Sequence, residues 1–202
     1  MKKFEKEYIE KYGDISSDQE ERVSLLKQSL RPYQLQEYMA KKLLIENIEW
    51  SSQSFTIYLL PKGTPRPRSG KFGFYVKGAK DNKEYFERYL SELGDELPLI
   101  KTPSIFTCKS FLPTPSSMNK VEKLLAEEGF IRPTSKPDWD NLAKTYCDMI
   151  QGYTVYDDSL IIKGVSEKYY SLKPRIELTL SWMNDYDSVF NKRKIDKIFK
   201  ER

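Results

Sequence analysis

The chain contains no histidine. That removes Ser-His-Asp and Cys-His catalysis, histidine metal ligands and an imidazole general base. Any chemistry has to rest on carboxylates, lysine, tyrosine or metal-bound water. Cysteine is nearly absent as well. Cys108 and Cys147 are the only two, and their separation matches no metal-ligand spacing. Both are expected to be small buried hydrophobes in a reducing compartment. No apolar run approaches the roughly 20 residues that cross a bilayer. The opening stretch MKKFEKEYIEKYG lacks the apolar core of a signal peptide, so a cytoplasmic protein with no membrane partner is expected. Charge of one sign is not in excess either: 34 basic and 30 acidic residues leave +4 over 202 residues, too little to name a partner.

The distribution of charge says more than its sum. Between Lys62 and Lys80 lie six cations (Lys62, Arg66, Arg68, Lys71, Lys77 and Lys80) and no acid. Between Lys192 and Arg202 six cations face only Asp196 and Glu201. The acids gather in the first fifty residues and around positions 138–158. A protein that grips phosphates while holding a metal needs this separation.

Organisation changes along the chain. Residues 1–50 read as a helical extension: a short helix over Lys2–Tyr12, a second opened by a capping box at Ser17-Asp18-Gln19-Glu20, and a third started by Pro32 and running to about Glu46. Val23, Leu26 and Leu30 mark one face, and Leu35, Tyr38, Met39, Lys42 and Leu43 another. Residues 51–183 read as one domain. Strands are expected at Phe55–Leu60, Pro103–Leu112, Leu160–Tyr169 and Ile176–Trp182. Helices are expected at Asp81–Leu93, with Tyr85, Phe86, Tyr89 and Leu93 inward, at Asn119–Glu128, and at Asp140–Ile150. Residues 61–79 hold four of the nine glycines and three prolines and read as a loop. Residues 184–202 read as a basic helix or tail. The order implies an α+β fold, a two-layer sandwich on a mixed sheet.

The chemistry concentrates in KPDWDNLAKTYCDMIQGYTVYDD, residues 136–158. Asp138 and Asp140 bracket a helix start. Asp140, Lys144 and Asp148 then recur every fourth residue on one helix face, and Asp157-Asp158 follow a turn at Gly152. Carboxylates that converge repel one another unless a cation lies between them, and an oxygen-only donor set suits Mg²⁺ or Mn²⁺. Each piece is ordinary alone. Aspartates are common helix caps, Asp-Asp after glycine is turn chemistry, and Lys144 could simply pair on a solvated face.

Taken together, the stretch resembles the RusA-type Holliday-junction resolvases. Their signature runs Lys/Arg-x-Asp-x-Asp-Asn-Leu-x-Lys, then a helical Asp and a glycine turn ending in Asp-Asp. The similarity extends from about Phe55, through PKGTPRPRSGKFGFY, to Trp182. It implies a two-layer, RusA-like fold and a metal-dependent, structure-selective endodeoxyribonuclease that cuts four-way DNA junctions symmetrically as a homodimer. By that resemblance Asp138, Asp140 and Asp158 are metal ligands, with Asp157 a less certain neighbour. Lys144 is the basic catalytic residue, Asn141 supports the site by hydrogen bonding, and Asp148 stands behind it. Lys62, Arg66, Arg68, Lys71 and Lys136 are candidate phosphate contacts, and the resemblance implies that the basic loop meets DNA and orders on binding. Many members of the family are carried by phages or prophages, so a bacterial cell or phage-infected host is the expected setting. Trp139 departs from the pattern, which has an aliphatic residue there, and is expected to pack into the core. A nuclease for flaps or other branched intermediates, and a junction-binding protein that does not cut, remain open alternatives.

Overall fold

The computed structural model describes residues 11–12, 18–64, 68–70, 73–75, 80–94 and 97–186, with 68–70, 73–75 and 80–83 described as backbone only. The chain divides into two units, residues 1–47 and 48–202.

In the first unit, residues 11–12 are helical, and the rest of the expected Lys2–Tyr12 helix lies outside the described residues, as does Ser17. Helix α1 (Gln19–Ser29) is capped by Asp18, whose side chain accepts from the Glu21 N–H at 2.8 Å. Helix α2 (Pro32–Glu46) carries Pro32 in its first turn, where the missing N–H costs nothing. Neither helix buries a residue. Leu26, Met39 and Leu43 are exposed, with apolar residues spread around each helix rather than gathered in one broad stripe.

In the second unit, β1 (Trp50–Ile57) is followed by a short hairpin of β2 (Arg68–Gly70) and β3 (Gly73–Tyr75), then α3 (Lys80–Leu93), β4 (Ser104–Pro113), α4 (Lys120–Glu127), α5 (Trp139–Ile150), β5 (Ile161–Ser171) and β6 (Arg175–Met183). Residues 61–79 are therefore not loop throughout: β2 and β3 pair antiparallel, Arg68 opposite Tyr75. The main sheet has the order β1-β6-β4-β5. Strand β6 is antiparallel to both neighbours, and β4 and β5 are parallel. A parallel pair needs a long crossover, and this one carries α4 and α5.

Alternation places the core. In β4, Ser104, Phe106, Cys108, Ser110 and Leu112 are buried while the residues between them are half-buried. Ile176, Leu178 and Leu180 do the same in β6, and Phe55 and Ile57 complete the layer from β1. Phe86 and Leu90 of α3 and Leu142, Tyr146 and Ile150 of α5 cover that face. Burial of each such leucine or isoleucine contributes about 1.5–3 kcal/mol. The inward stripe of α3 is Phe86 and Leu90, with Tyr89 packed partly buried against the core and Tyr85 exposed; the expected set of Tyr85, Phe86, Tyr89 and Leu93 also keeps the helical period, but the helix is rotated toward Leu90, away from Tyr85. Strand β1 starts at Trp50, not Phe55. Ser52 meets Ser181 (Oγ to Oγ, 2.9 Å) and Ser54 meets Thr179 (2.8 Å) across the pair, so hydroxyl contacts hold the part of β1 that precedes the expected strand. Residues 187–202, including most of the expected basic tail, lie outside the described residues.

Candidate active site

Helix α5 builds the site through its buried face. Leu142, Thr145, Tyr146 and Ile150 are buried, at helical spacing, and this fixes the rotation of the helix. Asp140, Lys144 and Asp148 consequently face solvent. Asp138 is the N-cap residue, but its side chain makes no capping hydrogen bond.

The approach to the helix is held by β5. Lys168 Nζ donates to the carbonyls of Ser135 (2.7 Å) and Pro137 (3.0 Å), and Ser166 Oγ donates to the Trp139 carbonyl (2.7 Å). Lys168 escaped the sequence reading. A lysine within a strand looks like an ordinary surface cation, yet here it fixes the segment that carries Asp138. Lys136, also on this segment, is exposed. Trp139 is 61% exposed, which overturns its expected place in the core: it lies on the same stripe as Leu142 and Tyr146, but as the first residue of α5 it stands at the end of the helix, beyond the buried part of that stripe.

Beyond the helix, Gly152 turns the chain at φ +82°, a left-handed conformation that a Cβ would strain. Ile100 then brackets Val155, donating to the Thr154 carbonyl (2.8 Å) and accepting from Tyr156 N–H (3.0 Å). Asp157 Oδ1 accepts from the Ser159 N–H (2.9 Å) and Oδ2 from Gln151 Nε2 (3.4 Å). The Ser159 bonds hold the Asp157 carboxyl below its ordinary range. Asp157 thus shapes the turn that presents Asp158.

Lys144 Nζ pairs with Asp148 Oδ1 at 3.2 Å. That hydrogen bond, the charge of Asp148 and the charge of Asp158 raise its pKa, so it is a fixed cation at neutral pH. The Cys147 thiol, half-buried one residue before Asp148, is pushed up to about 11 by burial, then by Asp158 and Asp148. The acids line one exposed face instead of meeting at a point: Asp140 and Asp148 are separated by about 12 Å of helix rise. Among the described residues no group of three or more Asp, Glu, Cys or His side chains is close enough to hold a metal ion. The donors have the right chemistry for a hard divalent cation, carboxylate oxygen with the thiol protonated, while their spacing does not close around one.

The root of the basic loop is sewn to the same helix. Asn141 Nδ2 donates to the Thr64 carbonyl (3.1 Å). Thr145 Oγ1 donates to the Asn141 carbonyl (2.6 Å) and accepts from the Thr64 N–H (2.7 Å), and it also contacts Thr64 Oγ1 (2.8 Å). Tyr146 OH accepts from the Lys62 N–H (3.0 Å) and lies 3.3 Å from the Lys62 carbonyl. A Cβ on Gly63 would fall on the Asn141 amide. Lys62 is exposed at this root. Arg66 and Lys71 lie outside the described residues, and Arg68 is described only as backbone of β2.

Among the described residues no helix is long and apolar enough to cross a membrane. The family model described as Endodeoxyribonuclease RusA matches residues 59–181. Uncharacterized protein YqaN of Bacillus subtilis (strain 168) is 31% identical over 132 residues, covering 62% of this chain and 93% of that protein.

Proposed function

Because this chain belongs to the RusA endodeoxyribonuclease family, we propose that it resolves four-way DNA junctions by symmetric, metal-dependent hydrolysis of phosphodiester bonds. The observation that carries the reading is Lys144, paired with Asp148 and within the field of Asp158 on the same exposed side of α5 as Asp140, with the root of the basic loop hydrogen-bonded to that helix.

Asp138, Asp140 and Asp158, which do not close around an ion as they stand, would have to draw together to hold Mg²⁺, or Mn²⁺ in its place, with Asp157 behind Asp158. Such an ion neutralises charge on the phosphate and lowers the pKa of a bound water. The chain's own residues do the rest. Lys144 stays protonated and serves as a cation that orients the scissile phosphate, not as a base. Asp148 holds its ammonium in place. Asn141 and Thr145 fix the root of the segment bearing Lys62, Arg66, Arg68 and Lys71, which with Lys136 would bind flanking phosphates; arginine does so bidentately. A junction presents two equivalent strands, so two sites related by a two-fold axis are required, and the working form is a homodimer. The setting would be the cytoplasm of a bacterial cell or a phage-infected host.

The test is a synthetic immobile four-way junction beside linear duplex and flap controls, in Mg²⁺, Mn²⁺ or EDTA. Paired nicks on opposing junction strands, lost in EDTA, are the expected result. Preferential cutting of flaps would reassign the substrate, and cutting that survives EDTA would contradict the metal.

A further inference from the structure

Trp139 is a large apolar side chain left 61% exposed between two carboxylates of the candidate active site. Its backbone is held, with Ser166 Oγ on its carbonyl and Lys168 Nζ on the carbonyls of Pro137 and Ser135. The indole therefore projects from a fixed platform. The other acidic arm repeats the arrangement. Tyr156, immediately before Asp157, is 62% exposed, with Lys101 Nζ 5.8 Å from its ring centre.

We infer that Trp139 is a nucleobase-contact residue, its indole stacking on a base unpaired at the branch point beside the scissile phosphate. This rests on the proposed junction substrate. In that reading Asp138 and Asp140 are taken up by the metal and, through it, the scissile phosphate, so the ligand left for the apolar indole between them is the uncharged, polarisable face of an adjoining base. Every base has such a face, so the contact favours open, branched DNA over paired duplex without reading sequence. Holding the indole in place beforehand lowers the entropy cost of the contact.

The experiment compares full-length wild type, Trp139→Ala and Trp139→Phe for binding to a four-way junction and to linear duplex, in Ca²⁺ to limit cutting, with tryptophan fluorescence as a second readout. The inference predicts that Trp139→Ala weakens junction binding about tenfold or more while duplex binding changes less than twofold. Trp139→Phe should recover most of the affinity, and the fluorescence quenching by junction seen in wild type should vanish in Trp139→Phe. Junction affinity and quenching unchanged in the variants would overturn it, as would equal losses on junction and duplex. Because the readout is binding, a wild type that binds junction but cuts it in neither Mg²⁺ nor Mn²⁺ would contradict the nuclease reading and leave the Trp139 comparison decisive. A wild type that does not prefer junction to duplex would overturn both.

Discussion

Asn141 and Thr64, 77 positions apart in the chain, are joined by a hydrogen bond from the Asn141 amide to the Thr64 carbonyl at 3.1 Å. Thr145, one turn further along α5, takes the Thr64 N–H. The same short stretch of helix therefore presents Asp140 and Lys144 to solvent and fixes the root of the basic loop. Cations and acids are set in register by one element.

Gly63 tests that junction. Gly63→Ala places a methyl group on the Asn141 amide and should destabilise the protein by about 1–3 kcal/mol, the usual cost of overpacking. Asn141→Ala removes the obstacle together with the hydrogen bond. The double variant should be more stable than the sum of the two single losses predicts, giving a favourable coupling in urea unfolding. Additive losses would show that the two residues do not share the space.

Lys144 and Asp148 should differ sharply in effect. Removing the cation with Lys144→Met should lower single-turnover cleavage by about 100-fold, the scale of losing one charge-stabilising donor. Asp148→Asn only loosens the ammonium, and it should cost less than about tenfold while bringing the Lys144 pKa down toward an ordinary lysine. Equal effects would make Asp148 a direct participant.

Cys147 reports the acidic face without DNA. Its thiol titrates at about 11 against an ordinary 9.0, through burial first and then Asp158 and Asp148. The raised value means that the unfolded thiol ionises first. Its contribution to stability is complete below pH 9 and is lost as pH rises through about 11. Iodoacetamide labelling followed by mass spectrometry should find Cys147 slow at pH 8. In Asp158→Asn the labelling profile should move to lower pH, because one repelling charge is gone. An unshifted profile would separate Asp158 from the helix.

Much of this was legible in the residues. Asn119 and Glu122 form the reciprocal cap of α4, the alternation around Phe106 and Cys108 marked β4, and the four-residue period placed Asp140, Lys144 and Asp148 on one face. Three things were not. Strand β1 opens with Trp50 and runs through Ser51-Ser52-Gln53-Ser54, whose pairing comes from backbone and cross-strand hydroxyls that leave no apolar rhythm. Size, hydrophobicity and helical phase all predict burial for Trp139, which shares the stripe of Leu142 and Tyr146, whereas its place at the very start of α5 leaves it exposed. Lys168 and Thr145 act through partners far away in the chain, which a local pattern does not reveal. Helical spacing likewise aligns Asp140 with Asp148 but does not set the distance from either to Asp158, because that depends on the Gly152 turn and its pairing with Ile100.

The most direct test of the account is Asp140→Asn measured beside wild type for both binding and cleavage of a four-way junction in Mg²⁺. The account predicts paired nicks from wild type, cutting reduced by about 100-fold or more in the variant, and junction binding retained or tightened, because one charge that repels phosphate has been removed. Equal cutting by the two proteins, or wild type that binds the junction and cuts in no divalent metal, would contradict it.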